Sequence, residues 1–173
     1  DLSNLTGSRG WAAAAGAGDV KAQLMKGMKV GDKSFKVHLD GYNITDALAG
    51  KAANPRREFF YWNDDGSLVA LRYDNWKVVF QEQRSEGFAV WQDPFVALRL
   101  PKIFNLRSDP FEMGDRVGIG YAKWRIDRTF LLVPAQQIVA QFLGTFKEFP
   151  PSQKVGSFSL DQVLEKLSTP GGK

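Results

Sequence analysis

Between Glu58 and Gln81 the chain writes the same physical message three times. Glu58 to Asn63 is rich in aromatics, Asp64-Asp65-Gly66 is a turn, and Leu68 to Tyr73 returns in β-forming residues. Asp74-Asn75 turns the chain once more into Trp76 to Gln81. Asp-Gly between β-prone runs is a strong local signal for a hairpin, because glycine takes the positive φ that a tight turn needs. A chain with two such turns in 24 residues must contain an antiparallel meander. In the third run Trp76, Val78 and Phe80 alternate with Lys77, Val79 and Gln81, which predicts one face for a core and one for solvent. A fourth strand is expected at Lys102 to Leu106, ended by Ser108-Asp109-Pro110. The intervening Arg84 to Pro101, with Phe88, Trp91 and Phe95, is long for a hairpin loop and is expected to pack down as an excursion.

The flanks are helical or mixed. Trp11 to Met28 reads as two short helical pieces broken at Asp19, and Lys33 to Leu39 alternates like a half-buried strand with Phe35, Val37 and Leu39 inward. Asp46 to Gly50 reads as one helical turn capped by Thr45 and closed by Gly50. Beyond Pro134, Ile138, Val139, Phe142, Leu143 and Phe146 recur at helical spacing, with Gln137, Gln141 and Thr145 opposite. Pro150-Pro151 stops that helix, and Ser159-Leu160-Asp161 starts a last short one through Leu167. The resulting fold class is α+β: a four-stranded antiparallel sheet with a C-terminal helix packed on one face. Residues 1–10 read as a leader, 11–168 as one domain and 169–173 as a tail.

Composition removes several chemistries. The 173 residues carry Cys 0 and His 1, so cysteine nucleophiles, disulfides, thiolate metal sites and His-rich clusters are excluded. A formal charge of +4 is mild for a nucleic-acid surface. Glu86 stands where the Lys/Arg of an RNA-recognition signature would be in Glu86-Gly-Phe-Ala-Val-Trp91, so no nucleic-acid partner is expected. Thr129 to Phe146 is the longest uncharged stretch, but Pro134, Gln136, Gln137 and Gln141 interrupt it and argue against a membrane span, and no membrane partner is expected. Asn63-Asp64-Asp65-Gly66 is turn chemistry before it is a calcium loop. Gly118-Ile-Gly120 lacks the strand and third glycine of a nucleotide site. His38 titrates near neutrality and could meet an anion, yet has no histidine or serine context for catalysis. Of the five tryptophans, Trp62 and Trp91 are candidates for an aromatic platform.

Val37-His38-Leu39-Asp40-Gly41-Tyr42-Asn43 with Leu48-Ala49-Gly50-Lys51 resembles the stretch that opens the C-terminal part of bacterial arylsulfatases. Pro55 to Gly66 is similar to their aromatic strand and hairpin, and Leu71 to Phe80 to the next strand pair. Ile103-Phe104-Asn105-Leu106-Arg107-Ser108-Asp109-Pro110-Phe111-Glu112 resembles their LF(D/N)LxxDPxE signature. Similarity continues through Phe130 to Pro134 and Phe146 to Pro151.

The resemblance implies a sulfuric-ester hydrolase family whose small C-terminal subdomain is a four-stranded antiparallel sheet with a helix. It further implies a formylglycine nucleophile, made in a Cys/Ser-x-Pro-x-Arg motif, and a divalent cation, usually calcium, that withdraws charge from the sulfate. This chain has no such motif and no counterpart of the metal-binding Asp and Asn residues. The expectation is therefore a C-terminal portion, non-catalytic by itself, with no catalytic residue, metal ligand or cofactor of its own. The alternative is a free-standing ligand- or protein-binding module. His38, Asp40, Tyr42 and Trp91 are the candidate pocket-lining residues. The sulfatase N-terminal α/β domain is the expected partner, with self-association through the face that domain would cover. A periplasmic or secreted location goes with the resemblance.

Overall fold

The computed structural model describes residues 19–150. They form an α+β arrangement with a four-stranded antiparallel sheet and a C-terminal helix. They divide into two compact units, one of residues 19–59 with 131–150 and one of residues 60–130. The first expected helical piece near Trp11 and the last one near Leu160 lie outside the described residues.

The sheet runs in the order β3 (Glu58–Trp62), β4 (Leu68–Tyr73), β5 (Trp76–Glu82), β6 (Val96–Asn105). Gly66 closes the first hairpin at φ +75°, while the Asn63 side chain accepts the Ser67 N–H at 2.8 Å. The second turn places Asp74 at φ +49°, a left-handed position that Asp tolerates better than most residues. The fourth strand is longer than expected. It starts at Val96 and runs through Pro101, which the sequence suggested would end the excursion. Proline fits because β6 is an outer strand, and the pairing with β5 slips between Val79 and Gln81, opposite that proline.

Both faces of the sheet are buried, which corrects the expectation of a solvent-facing side. Leu71, Val78 and Ile103 are cross-strand neighbours on one face, and Ile103 is wholly inaccessible. On the other face Ala70, Val79 and Phe104 form a cluster with Tyr61, Leu98 and Tyr121 around it. The cause lies in the chain after β6. Two short helices, α3 (Gly114–Val117) and α4 (Tyr121–Ile126), follow it. Tyr121 stacks its ring on Phe104, 5.6 Å between centroids, and its hydroxyl both donates to Ile103 O at 3.0 Å and accepts from Ile103 N–H at 3.2 Å.

The segment between β5 and β6 does not pack down. It forms a 3-10 turn, Gly87–Trp91, on which Phe88 is 90% and Trp91 80% exposed. Backbone carbonyls of Val90 and Asp93 hold the Gln83 amide, and the Ser85 hydroxyl donates to the Asp93 carboxylate, so the turn is anchored while its aromatics face outward.

In the first unit, α1 (Val20–Lys26) begins at Asp19, whose carboxylate accepts the Ala22 N–H at 3.2 Å. The expected strand from Lys33 to Leu39 is only β2 (Lys33–Phe35), paired with β1 (Met28–Val30), and Phe35 and Val37 are exposed. A three-residue hairpin has too little cross-strand area to bury an alternating face. Thr45 does not cap the helical turn α2 (Thr45–Leu48); it is its first residue, and Asn43 Oδ1 accepts its N–H. Gly50 does close the segment, at φ +68°.

Helix α5 (Leu132–Gly144) starts two residues before Pro134. A proline in the first turn costs no helical bond, since those N–H groups have no intrahelical acceptor. With flanking 3-10 turns it makes a 19-residue helical run, Thr129–Lys147, of mean hydropathy 1.2. That is long and apolar enough to cross a bilayer by length and composition alone, which the glutamines had argued against; core helices of soluble proteins meet the same measure.

Candidate functional site

Three of the four sequence candidates sit on one strap, residues 36–44, which has no regular structure. The half-buried His38 imidazole is 2.9 Å through Nδ1 from Asp40 Oδ1 and lies 5.6 Å from the Phe149 ring. The neighbouring Lys36 meets Glu148 at 2.8 Å and also sits over Phe149. These contacts pin the strap to the segment following α5. An Asp that orients a His is one half of a proton-transfer device, but catalysis needs a nucleophile within hydrogen-bond reach of the imidazole. Among the described residues, His38 contacts the Asp40 carboxylate and the Phe149 ring, and neither brings a hydroxyl.

Tyr42 is positioned by the residues that open β3. Its hydroxyl donates to Glu58 Oε1, and the Arg56 guanidinium lies over both its ring and that of Phe59, at 5.6 and 5.4 Å. The hydrogen bond to Glu58, then burial, push the phenol up to about 12, against the opposing charge of Arg56. Deprotonating Tyr42 would break that bond and set two negative charges side by side. The group is therefore held neutral and acts as a fastener, not as an acid. Arg56 and Glu58 were missed by sequence reasoning, although both lie in the Pro55 to Gly66 block that carries part of the resemblance.

Trp91, the fourth candidate, belongs to the other unit and stands on the exposed 3-10 turn described above.

The second unit holds a polar cleft that the sequence did not suggest. It is a cavity of about 420 Å³ over the Ala70–Val79–Phe104 face, walled on one side by residues 111–116. Lys77 and Lys102 rise from the sheet on that face. Lys77 Nζ lies 4.7 Å over the Tyr61 ring and meets both oxygens of Glu112 at 2.7 and 2.8 Å. Lys102 Nζ bridges Glu82 at 2.5 Å and Asp115 at 2.6 Å. Burial works against the Lys102 ammonium, but its two carboxylate partners outweigh it and raise its affinity for the proton. The Lys102 hydrogen bond, in turn, holds Glu82 below the usual carboxylate range. Lysine and carboxylate charges pair within the cleft, so its design is that of a clamp between the sheet and the segment that covers it. The alternation that put Lys77 and Val79 on one face was the available signal, once that face is known to be covered.

Asp109 completes the clamp. Its two oxygens accept the N–H groups of Met113 and Gly114 at 2.9 and 2.8 Å, starting α3, while Asn105 Oδ1 accepts the Arg107 N–H at 3.1 Å. Glu112 reaches Lys77 from a backbone at φ +56°, an uncommon conformation for glutamate. Among the described residues no three His, Cys, Asp or Glu side chains are grouped to hold a metal ion. The sequence contains no Cys/Ser-x-Pro-x-Arg motif, so this chain does not itself carry the residue from which the formylglycine of the resembling family is made.

No protein-family model matches this chain. No curated protein matches it either. Among solved structures it is similar to the PsFucS1 sulfatase from Pseudoalteromonas sp., with 21% identity and a TM-score of 0.47, over 67% of this chain. The chain spans 22% of the length of that protein. A likeness at that TM-score transfers neither architecture nor activity.

Proposed function

We propose that this chain is the C-terminal portion of an arylsulfatase-type sulfuric-ester hydrolase and is non-catalytic by itself. The observation that carries the reading is that the resembling blocks find one another. Tyr42, from the first block, hydrogen-bonds Glu58 and lies under Arg56, both from the second. Lys77, from the third, pairs with Glu112, which ends the fourth. Within the fourth block Phe104 is core, Asn105 and Asp109 cap turns, and Glu112 closes the clamp. Motif residues with such roles hold a fold together, as expected of a subdomain that supports chemistry performed elsewhere.

In this reading the partner is a sulfatase N-terminal α/β domain, which would supply the formylglycine and the divalent cation. His38, Asp40 and Tyr42 serve the strap first, and any contact of theirs with substrate is made in the company of that domain. The test is the reading frame upstream of the Asp1 codon, together with an aryl-sulfate assay on the isolated chain. An in-frame Cys-x-Pro-x-Arg or Ser-x-Pro-x-Arg motif and an inert isolated chain are the expected results. An unrelated upstream domain, or sulfate release by this chain alone, overturns the proposal. The exposed Phe88 and Trp91 favour a second reading, in which the sheet is reused as a binding module. An unrelated upstream domain is the result that would favour it.

A further inference from the structure

Beyond its role as a sulfatase portion, and independently of it, the sheet unit contains a second cavity of a different character. It measures about 320 Å³ and is walled by Phe104, Tyr121, Trp124 and the backbone of Gly114, Gly118 and Gly120, with Asn105 and Ser108 at its polar end. We propose that this cavity is a binding site for a planar, uncharged aryl group of one or two rings.

Three observations point there. The first is the aromatic wall. Phe104, Tyr121, Trp124 and Trp76 form a continuous series of near-parallel rings, tilted 22–28° with centroids 5.6, 5.9 and 6.2 Å apart. At such spacings the rings are offset, which leaves part of each free to meet another ring in the stacked or edge-on geometry that aromatics prefer. The rings are also held in place, Tyr121 by Ile103 and Trp124 by the Arg128 guanidinium 4.3 Å above it. A preset wall loses little freedom when a ligand docks.

The second is the glycines. A side chain at Gly114 would meet Asp109 and Tyr121 at 3.0 and 3.2 Å, and one at Gly118 would strike Gly114 O at 2.5 Å, so close packing requires those two. Gly120 differs. Its φ of −92° suits any residue, and a Cβ there would find nothing within 4 Å. Neither strain nor crowding calls for glycine at 120, a position on the cavity's lining with open space around it.

The third is charge. Among the described residues the one carboxylate on the cavity wall, Asp109, is engaged by two backbone N–H groups, and no lysine or arginine lines the cavity to pair with an anion. Asn105 and Ser108 supply the polar end that a hydroxyl or carbonyl on the ring could address.

Phenol is the probe, with cyclohexanol as a partner of similar size that lacks a π face. Titrated into the full chain, phenol should shift the Trp124 indole N–H and the Gly120 amide in nitrogen–proton correlation spectra, saturably and together. Cyclohexanol should bind more weakly. Gly120→Leu, which projects into the opening, should weaken phenol by about tenfold or more while the spectrum stays that of a folded chain. If leucine prevents folding, Gly120→Ala tests the same space with a smaller loss. Trp124→Leu should remove the preference for phenol over cyclohexanol. Shifts that do not saturate, equal binding of the two probes, or phenol binding untouched by a folded Gly120 variant would each overturn the proposal.

Discussion

The strap and the cleft both join segments by pairing a cation with a carboxylate, yet the two devices differ in what surrounds them. On the strap, Lys36, Glu148 and Asp40 each keep more than half of their side-chain surface exposed, and water already solvates the charged partners. In the cleft, Lys77, Lys102, Glu82 and Asp115 keep a quarter or less of their side-chain surface, and the pairs lie against buried apolar residues. An exposed pair gains little because separating it costs little. A half-buried one is expensive to break because the abandoned partner cannot be rehydrated fully. The same chemistry therefore makes a loose latch in one region and a fixed clamp in the other.

The largest effect should come from the apolar layer on the face of the sheet opposite the clamp. Ile103→Ala should cost roughly 3 kcal/mol, against less than about 1 kcal/mol for Val37→Ala on the strap, where the side chain is already exposed. Urea unfolding of both variants gives the comparison; equal losses would mean that burial does not distinguish the regions.

Next in size is the contrast between lysines. Lys77→Met should destabilise by about 1–3 kcal/mol by leaving Glu112 half-buried without its partner, while Lys36→Met should stay within about 0.5 kcal/mol. Double-mutant cycles with Glu112→Gln and Glu148→Gln sharpen the point. Coupling should be large in the first cycle and near zero in the second.

The clamp also predicts a pH profile. Glu82 binds its proton more weakly folded than unfolded, so its contribution is full above its ordinary value near 4.5 and is lost as pH falls below it. Lys102 binds its proton more tightly when folded, so its contribution is full below its ordinary value near 10.5 and is lost as pH rises beyond it. Thermal melts should be flat between these limits with respect to this group, and Lys102→Met should make the acid limb shallower. An acid limb unchanged by that substitution would detach the cleft from the profile.

The smallest effect is spectroscopic. In an ultraviolet titration Tyr42 should ionise late, at about 12, Tyr121 should also ionise above its ordinary range because it is buried, and Glu58→Gln should bring Tyr42 alone back toward 10. Because the folded state holds that proton more tightly, the stabilisation is complete below pH 10 and disappears as pH passes through 12.

The central meander was legible in the sequence because strands announce themselves through turns and alternation over a few residues. Asp64-Asp65-Gly66 and Asp74-Asn75 turn where expected, and β3, β4 and β5 follow. What covers a sheet is a longer-range matter. Val79 looked solvent-facing because its cover, Tyr121, lies more than forty residues later on a helix of six residues with no clear apolar stripe. Pro101 disguised the first half of β6, since only its outer position lets the strand run through it. Trp91 was legible as a candidate but not as an exposed one, because aromatic residues are ordinarily read as core. Of the strap, His38, Asp40 and Tyr42 could be named from the sequence, whereas their partners Phe149, Arg56 and Glu58 required three dimensions.

The Tyr121 hydroxyl has one more consequence. An outer strand invites a neighbouring molecule to continue the sheet, and aggregation often begins with that templating. At Ile103 both main-chain groups are already spoken for by a phenol from the same chain, and two residues earlier Pro101 has no N–H to offer. Along this stretch of β6 the protein cannot seed a shared ribbon, so copies that meet here must recognise one another through side chains and remain separable.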